Sequence, residues 1–235
     1  MKWSAVLALI SLQVWTIGCG QQYEIEKLHL AIRNGDSLVV KELLAKGIDP
    51  DTVDRYGFTP LCQAAYRGDA EIAKMLIDYG ADVNLRSDVK DGNKRATFVP
   101  LLMAVDRAGY TSDRSGHESV AIMLIEKGAK VDLADEGKFT PLHYSWFSER
   151  VTRMLVKNGA DINAKNRLGE TPLHFAIRLG IEDAVRFILE LGADPEIENN
   201  KGETSLDYAK KHERDETLKL ITSFQSQKIK ADHHK

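Results

Sequence analysis

The chain contains seven histidines and two cysteines, the side chains that most often bind metal ions or act as nucleophiles and bases. None of them has the spacing of a catalytic or metal-binding motif. His212 is followed by Glu213 but by no second histidine four residues further on, and the chain has no G-x-S-x-G, P-loop or G-x-G-x-x-G sequence. The adjacent His233 and His234 indicate no metal site either. The sequence therefore predicts no catalytic residue, no metal site and no cofactor.

Some of these residues belong to a short sequence that recurs along the chain. Thr-Pro-Leu-His occurs at 140–143 and at 171–174, and at 59–62 the same sequence ends in Cys62 instead of histidine. Residues 26–31 keep only Leu-His-x-Ala, which contains His29. A glycine ends each unit, at 47, 80, 128, 159 and 192, so that successive glycines are 33, 48, 31 and 33 residues apart. This recurrence predicts an array of similar structural units.

The unit resembles the ankyrin repeat, in which a turn or hairpin finger is followed by two antiparallel helices. Thr171 suits the N-cap of the first helix and Pro172 its first position, and Gly192 suits the left-handed residue after the second helix. The resemblance implies an all-α solenoid of stacked helix-turn-helix units with short β-turn or hairpin fingers. We expect about five repeats and a partial C-terminal cap over residues 24–225, followed by a disordered polar tail at 226–235.

The resemblance also accounts for four of the histidines. It implies that His29, His143 and His174 tie neighbouring repeats by hydrogen bonds, and that His117 opens a second helix. Residues in these roles lie one repeat apart and do not converge as metal ligands do. Cys62 replaces one of the structural histidines, and we expect a packed, unreactive thiol rather than a nucleophile.

The composition predicts a soluble globular domain. Of the 235 residues, 43% are hydrophobic and 29% are charged, and the formal net charge is -3. That balance provides no overall positive field of the kind that attracts nucleic acid. Two cysteines cannot form a framework of disulfides, so we expect the hydrophobic core to stabilise the fold.

The first 18 residues are interpreted as a signal peptide. Lys2 precedes a mostly apolar run at 3–18. A membrane span needs about 20 apolar residues, so this run is too short to be one. The run ends at Cys19 in a sequence that resembles a bacterial lipobox, although Thr16 stands where leucine is usual. The resemblance implies a lipid on Cys19 and, because residue 20 is not aspartate, an exported, periplasmic protein anchored in the outer membrane. The alternative is cleavage after Gly20 without a lipid.

We expect a partner to bind the concave side of the solenoid, which the fingers and the ends of the first helices line. Arginine and aromatic side chains are frequent at these positions, and such residues carry much of the binding energy of interfaces. Five of the expected cations are Arg33, Arg67, Arg107, Arg178 and Lys211. A row of cations favours a partner protein with an acidic surface. The alternative is that these arginines are ordinary solvated helix ends. The candidate partner-binding residues are Arg55, Tyr56, Phe58, Tyr66, Arg67, Lys90, Lys94, Arg95, Arg107, Phe147, Arg167 and Arg178.

The third and fourth units depart from the regular length. Residues inserted in the third finger include Asp91-Gly92, which predicts a tight hairpin tip that carries the basic Lys90, Lys94 and Arg95 outward. A second insertion, at 108–115, predicts a loop between the helices of the third unit. Its role stays open. The fourth unit is shortened, and we expect Trp146 to pack in the space and Phe147 to be available as an anchor for a partner.

The sequence favours a non-catalytic protein-binding module in a bacterial cell envelope. Within that class, one hypothesis is an immunity or inhibitor protein that occludes a toxic enzyme, and another is an accessory factor of a periplasmic enzyme. Outside that class, the chain could be a secreted ankyrin effector that acts in a host cell, or an enzyme with a site grafted on the solenoid. We expect no nucleic acid, and membrane contact only through the lipid anchor, while the oligomeric state stays open.

Overall fold

The computed structural model describes the backbone of residue 20 and of residues 22–91 and 94–232. It describes the side chains of the same residues apart from 88–96 and 227–232. The interpreted signal peptide at 1–18 and Cys19 lie outside the described residues. Among the helices of the described part, none is both long and apolar enough to cross a membrane.

Antiparallel helix pairs follow one another along the described chain. The first helix of each pair packs on the first helix of the next pair, and the second helices form a parallel row beside them. The pairs are α1 (22–34) with α2 (Ser37–Ala45), α3 (Pro60–Arg67) with α4 (Ala70–Asp78), α5 (Pro100–Ala108) with α6 (Ser115–Glu126), α7 (Pro141–Tyr144) with α8 (Glu149–Lys157), α9 (Pro172–Leu179) with α10 (Glu182–Glu190), and α11 (Ser205–Lys211) with α12 (Asp215–Asp232). This arrangement confirms the predicted all-α solenoid.

The recurrent Thr-Pro sequence starts the first helices as its chemistry predicts. The Thr59 side chain accepts a hydrogen bond from the backbone N–H of Cys62, and Pro60 occupies the first turn of α3. Thr171 and His174 form a reciprocal capping box at the start of α9. Gly192, which follows α10, has φ +97°, the left-handed conformation that glycine adopts without strain. The local sequence therefore determines where these helices begin and end.

The hydrophobic core consists of two clusters that meet at the fourth unit. One cluster extends from Leu28 to Ala160, and the other extends from Leu173 to Ile221. Ile162 packs against both clusters. Each cluster contains residues of several units, because a single helix pair has too little apolar surface to form a core of its own.

The third finger is a β-hairpin, as the Asp-Gly sequence predicted. Strand β1 (Ser87–Asp91) pairs antiparallel with β2 (Lys94–Phe98), and the register places Ser87 opposite Phe98 and Asp91 opposite Lys94. Residues 92 and 93 lie outside the described residues. The second insertion also lies where it was expected, because residues 109–114 connect α5 to α6.

The missing residues of the fourth unit shorten its first helix. Helix α7 has only 4 residues, and a 3-10 turn at Ser145–Phe147 completes the connection to α8. Trp146 fills space beside the third unit: a Cβ placed on Gly109 would lie 2.6 Å from its indole ring, and the guanidinium of Arg114 lies 5.3 Å from the ring centroid. The packing role predicted for Trp146 is therefore confirmed.

The C-terminal helix differs from the expectation. We predicted a helix at about 216–224 and a disordered tail from 226, whereas α12 extends over Asp215–Asp232. No glycine or proline interrupts this segment, and Ile221 is buried in the second core cluster. The helix therefore continues through polar residues that lack hydrophobic periodicity, and residues 233–235 lie outside the described residues.

Gly116 lies where the second and third units approach most closely through their backbones. A Cβ on this residue would lie 2.3 Å from the carbonyl oxygen of Gly68, a distance that no real Cβ contact shows. The adjacent His117 is 5% exposed, and its Nε2 lies 3.1 Å from the carbonyl oxygen of Tyr66. The two backbones therefore need glycine at position 116.

We predict that Gly116→Ala lowers the free energy of unfolding by about 1–3 kcal/mol, because the added methyl group must push the two units apart. Ser119→Ala is the matched control, since this position on the same helix is exposed and such changes stay within about 0.5 kcal/mol. Urea denaturation followed by circular dichroism measures both. Equal stability of the two variants would contradict the close contact.

Candidate protein-binding surface

Asp54 holds the second finger, which connects α2 to α3, in a defined shape. Its Oδ1 accepts hydrogen bonds from the backbone N–H groups of Tyr56 and Phe58 at 2.9 and 3.0 Å. Its Oδ2 accepts a hydrogen bond from Gln63 Nε2 at 2.7 Å and another from the Arg33 guanidinium at 3.3 Å. The Asp54 side chain is only 7% exposed, so these bonds satisfy a nearly buried carboxylate. They fix the backbone that carries both aromatic residues.

The two aromatic rings of this finger lie beside the ring of Tyr66 on α3. Phe58 and Tyr66 meet edge to face with ring centroids 6.4 Å apart, and they line a cavity of about 420 Å³ together with Tyr56. Tyr56 and Tyr66 are 55% and 42% exposed. The Arg55 guanidinium lies 4.8 Å from the Tyr56 ring centroid. We call Arg55, Tyr56, Phe58, Tyr66, Arg67 and Arg107 together the aromatic surface.

Two arginines of the aromatic surface contact groups other than carboxylates. The Arg67 guanidinium donates to the backbone carbonyl of Arg33 at 2.5 Å, and the Arg107 guanidinium lies 4.4 Å from the Tyr66 ring centroid. Within the part of the chain that the structure describes, neither guanidinium forms an ion pair with a carboxylate, and Arg107 Nε is buried without a hydrogen-bond partner. Burial raises the pKa of Asp106 and the charge of Arg107 acts against that rise, so the charge of Arg107 is partly compensated, whereas the exposed Arg67 has no carboxylate partner among the described residues.

The hairpin of the third finger joins the aromatic surface at its base. The ring of Phe98, the last residue of β2, stacks on Phe58 with centroids 4.0 Å apart and an interplanar angle of 22°. The register pairs Lys90 with Arg95 and places Lys94 opposite Asp91, near the turn. The side chains of Lys90, Lys94 and Arg95 lie outside the described residues. The stack nevertheless attaches the predicted basic finger to the predicted aromatic residues.

The three cations of the predicted row that lie outside this region have carboxylate partners. Arg33 pairs with Asp54 at 3.3 Å, Arg178 approaches Glu170 at 3.8 Å, and Lys211 pairs with Glu203 at 2.5 Å. The Arg178 guanidinium also lies 4.7 Å from the Phe175 ring centroid. These pairs reduce the net positive charge of that part of the groove, and the row itself stays a prediction. The sequence did not show which carboxylates the fold would bring to these arginines and lysines.

Glu170 explains why Arg178 has a structural role. Its carboxylate accepts hydrogen bonds from the Tyr208 hydroxyl at 2.6 Å and from Asn166 Nδ2 at 3.1 Å. Burial acts to raise the pKa of Glu170, but these hydrogen bonds and the charge of Arg178 outweigh it, so that the pKa is lowered. The carboxylate thus links the fifth and sixth units, and Arg178 compensates its charge.

The two other candidate residues lie apart from the aromatic surface. Arg167 is exposed on the finger before α9, where its backbone N–H donates to Gly137 and its carbonyl accepts from Asn200 Nδ2, both at 2.8 Å. Phe147 is partly buried and lines a cavity of about 430 Å³ with Trp146 and residues of α10. The structure therefore brings together only the candidates of the second and third units.

The buried histidines join neighbouring units, as the resemblance implied. His143 Nε2 lies 3.1 Å from the carbonyl oxygen of Glu170, and His174 Nε2 lies 3.2 Å from that of Glu203. Backbone N–H groups of Thr140 and Thr171 donate to the Nδ1 atoms of these rings, so Nε2 carries the proton that each ring donates. His29 differs in its partner, because its Nδ1 forms a hydrogen bond with the side-chain Oε1 of Gln63 at 3.0 Å instead of with a backbone group.

Cys62 has the environment of a packing residue. Its side chain is fully buried, and burial raises the pKa of the thiol to about 12. A thiol with such a pKa is protonated at neutral pH and is a poor nucleophile. Among the described residues, no group of three or more histidine, cysteine, aspartate or glutamate side chains is placed to hold a metal ion.

Comparison with known families agrees with the geometry. The model of the family described as ankyrin repeats (3 copies) matches residues 5–87 and 148–232. The chain belongs to the ankyrin-repeat family. The first match begins inside the segment that we interpreted as a signal peptide.

Curated relatives share the ankyrin repeats over part of their length. An ankyrin repeat protein of fowlpox virus is 29% identical over 128 residues, which are 48% of this chain and 19% of that protein. The ankyrin repeat, SAM and basic leucine zipper domain-containing protein 1 of Atelerix albiventris is 31% identical over 125 residues, 51% of this chain and 23% of that protein. Its counterpart in Rhinolophus ferrumequinum is 43% identical over 63 residues, which are 27% of this chain and 13% of that protein. The chain thus matches less than a quarter of each relative.

Membership of this family establishes the general function. Ankyrin repeats mediate binding between proteins, and proteins of the family are generally non-catalytic binding modules. The ankyrin fold alone does not identify a partner, because the partner is chosen by the surface side chains.

Sequence analysis missed the acidic and amide side chains that shape the ankyrin fingers. Asp54, Asp135, Asn166 and Asn199 each accept hydrogen bonds from backbone N–H groups of their own finger. Each lies five residues before the N-cap threonine of the next helix, and this repeated spacing could have identified them. Lys94 occupies the corresponding position in the third unit, where a β-hairpin replaces the turn.

The buried histidines predict a pH dependence of stability. Burial lowers the pKa of His29, His143 and His174 below 6.5, the value that we take for the unfolded chain. The unfolded chain therefore binds more protons below that pH, and stability must fall as the pH decreases from about 6.5. We expect a lower melting temperature at about pH 5 than at about pH 7.5.

His174→Gln provides the check on this dependence. Its amide can still donate to the Glu203 carbonyl but does not titrate, so we expect a smaller loss of melting temperature between the two pH values. Differential scanning calorimetry of both proteins measures the two slopes. Identical slopes would show that His174 does not contribute to the acid sensitivity.

Proposed function

We propose that this ankyrin protein binds an acidic surface of a partner protein through its aromatic surface. The observation that carries the proposal is the combination of exposed Tyr56 and Tyr66 with the guanidinium groups of Arg67 and Arg107, which form no ion pair among the described residues. Tyrosine and arginine are the side chains that most often dominate binding energy when an interface excludes water. Carboxylates of the partner are the natural complement of two unpaired guanidinium groups.

The charge distribution favours the second and third units over the rest of the groove. Arg178 and Lys211 already have carboxylate partners, so a ligand carboxylate would have to compete with Glu170 and Glu203. Arg67 and Arg107 have no carboxylate within ion-pair distance in the described chain, although the charge of Arg107 acts on the neighbouring Asp106. The hairpin that stacks on Phe58 extends the same region, and its strands carry Lys90, Lys94 and Arg95. A partner would therefore gain most binding energy here.

The cellular part of the proposal places the protein in a bacterial envelope. Residues 1–18 act as a signal peptide, Cys19 carries the lipid, and the repeats project into the periplasm from the outer membrane. The sequence support is the single positive charge of Lys2, the apolar run at 3–18 and the small residue before Cys19. In this location the protein acts as an immunity or inhibitor protein, which occludes a toxic enzyme; an accessory role for a periplasmic enzyme is the alternative.

We predict that the double variant Arg67→Glu and Arg107→Glu weakens partner binding by more than about tenfold, because carboxylates would then face carboxylates. The partner is captured from an envelope extract on the immobilised wild-type chain, identified by mass spectrometry, and titrated by calorimetry. The matched control is Arg150→Glu and Arg186→Glu, which reverses two exposed charges on the second helices α8 and α10.

The milder pair Arg67→Gln and Arg107→Gln separates binding from folding, because it removes charge without introducing repulsion. We expect it to weaken binding while circular dichroism stays native. Unchanged affinity in both double variants with native circular dichroism would contradict the proposed binding surface. An equal loss in the control pair would show that overall charge matters instead.

We predict that a palmitate analogue labels the wild-type chain in bacteria and does not label Cys19→Ser. The mature wild-type protein should begin at residue 19, and its mass should exceed that of the polypeptide by the acyl groups. Mass spectrometry of the N-terminal peptide measures both. An unlabelled protein that begins at Gln21 would show cleavage after Gly20 instead. Retention of residues 1–18 would reject the signal peptide, and unlabelled protein in the medium would favour the secreted effector.

A further inference from the structure

The first unit exposes a leucine at a position that other units cover. Leu30 is the fifth residue of the recurrent Thr-Pro-Leu-His-x-Ala sequence, and it is 51% exposed. The corresponding Gln63, Phe175 and Tyr208 are only 6%, 9% and 6% exposed. The Phe175 ring, for example, packs against Phe139 of the preceding finger. Leu30 has no such neighbour among the described residues.

A second leucine of the first unit lies at a position where other units have polar residues. Leu38 lies nine residues before the glycine that ends the unit, and it is 79% exposed. The other units have polar, exposed side chains at this position: Glu71, Ser119, Arg150 and Asp183. Stacking of the units therefore does not require an apolar residue at position 38, and water does not favour one.

Tyr23, on α1, is a third exposed apolar residue of the first unit. It is 64% exposed, lies two helical turns before Leu30, and lines a cavity of about 260 Å³ with Leu30 and Ile25, to which Arg33, Asp54 and Arg55 contribute charged groups. Lys27 lies on the same stripe of α1, one turn after Tyr23. We call Tyr23, Leu30 and Leu38 the N-terminal face.

The geometry points to a lipid surface as the occupant of the N-terminal face: the face contacts the bilayer that holds Cys19, and thereby orients the repeats on the membrane. This inference rests on the proposed lipid anchor. Tyr23 is the fourth residue after Cys19, a distance of at most about 14 Å for an extended chain. Acyl chains on Cys19 would therefore keep the face at the membrane surface.

The side chains of the face suit the boundary between lipid headgroups and acyl chains. Tyrosine is enriched there because its ring is apolar and its hydroxyl can remain hydrated. Lys27 and Lys41 have long apolar stems that can lie along the acyl chains while their ammonium groups reach the headgroups. Lys46 is paired with Glu42 at 2.5 Å, so the face contributes apolar contact rather than a strong positive field. Neutral lipids are therefore a sufficient test surface.

The test couples the chain that begins at residue 19 to a maleimide lipid in phosphatidylcholine vesicles. Cys62 is fully buried, so coupling occurs at Cys19 alone. The reporter is Tyr23→Trp, and the internal reference is Trp146, the only natural tryptophan after residue 19. Lipids with brominated acyl chains quench tryptophans that contact them. We expect loss of emission from the reporter at 23 and unchanged emission from the coupled protein that contains Trp146 alone.

Two double variants in the reporter background show whether the leucines make the contact. Leu30→Ser with Leu38→Ser should remove the quenching. Leu168→Ser with Leu179→Ser, which replaces leucines of the fifth unit that are 55% and 42% exposed, should leave the quenching unchanged. An unquenched reporter on the coupled protein would overturn the inference, as would quenching that survives the first double variant.

Other occupants of the face give different results. A dimer in analytical ultracentrifugation that the first double variant dissociates would identify a second copy as the occupant and overturn the lipid proposal. Stronger shielding of the reporter from acrylamide in the chain that retains residues 1–18, with Trp3→Phe and Trp15→Phe and without vesicles, would identify that segment as the occupant and overturn it too. Because coupling is chemical, an unquenched reporter rejects only the lipid contact, whereas missing acyl groups on Cys19 in bacteria reject only the natural anchor.

Discussion

Stacking of apolar helix faces is the constraint on which the rest of this structure depends. Each helix pair has an apolar stripe that it cannot bury by itself, so the first helices pack on one another in one row and the second helices in another. The two core clusters each include several units for this reason. Variation is then tolerated in the segments that do not stack, which are the fingers and the connections between helices.

Polar contacts determine the register of the stack. His143 and His174 each donate from Nε2 to a carbonyl of the following finger, and Gly116 lets the backbones of two units meet where a side chain would not fit. Such buried donors must find their acceptors, because an unsatisfied polar group costs about 1–3 kcal/mol. A unit that slipped by one residue would lose these bonds as well as its apolar contacts. The hydrophobic effect thus favours stacking, and the histidines and glycines select one arrangement.

The irregular units supply what distinguishes this chain from a generic repeat. The third unit replaces a turn by a hairpin, and Phe98 at its base stacks on Phe58 of the preceding finger. The aromatic surface therefore extends from the second unit towards the hairpin. The fourth unit has a shortened first helix, and the two core clusters meet there, with Trp146 and Phe147 on opposite sides of the boundary. The first unit exposes leucines that regular stacking does not require.

Much of the fold follows from local sequence, because its causes are local. The Thr-Pro starts and the glycine ends of the helices reflect capping and backbone conformation, which neighbouring residues determine. The period of about 33 residues predicts the array, and Asp91-Gly92 predicts the hairpin. The extension of α12 past Phe224 was not predicted, because polar residues without periodicity read as a tail although no glycine or proline stops the helix.

The sequence by itself determined the repeat, the Thr-Pro starts and glycine ends of the regular helices, the structural role of the histidines and the positions of the candidate arginines and aromatic residues. Only the tertiary structure decided which of those arginines are free. Arg178 and Lys211 meet Glu170 and Glu203, whereas Arg67 and Arg107 meet a carbonyl group and an aromatic ring. Charge compensation depends on distances of a few ångströms between side chains that are far apart in sequence, and a linear pattern contains no such distances.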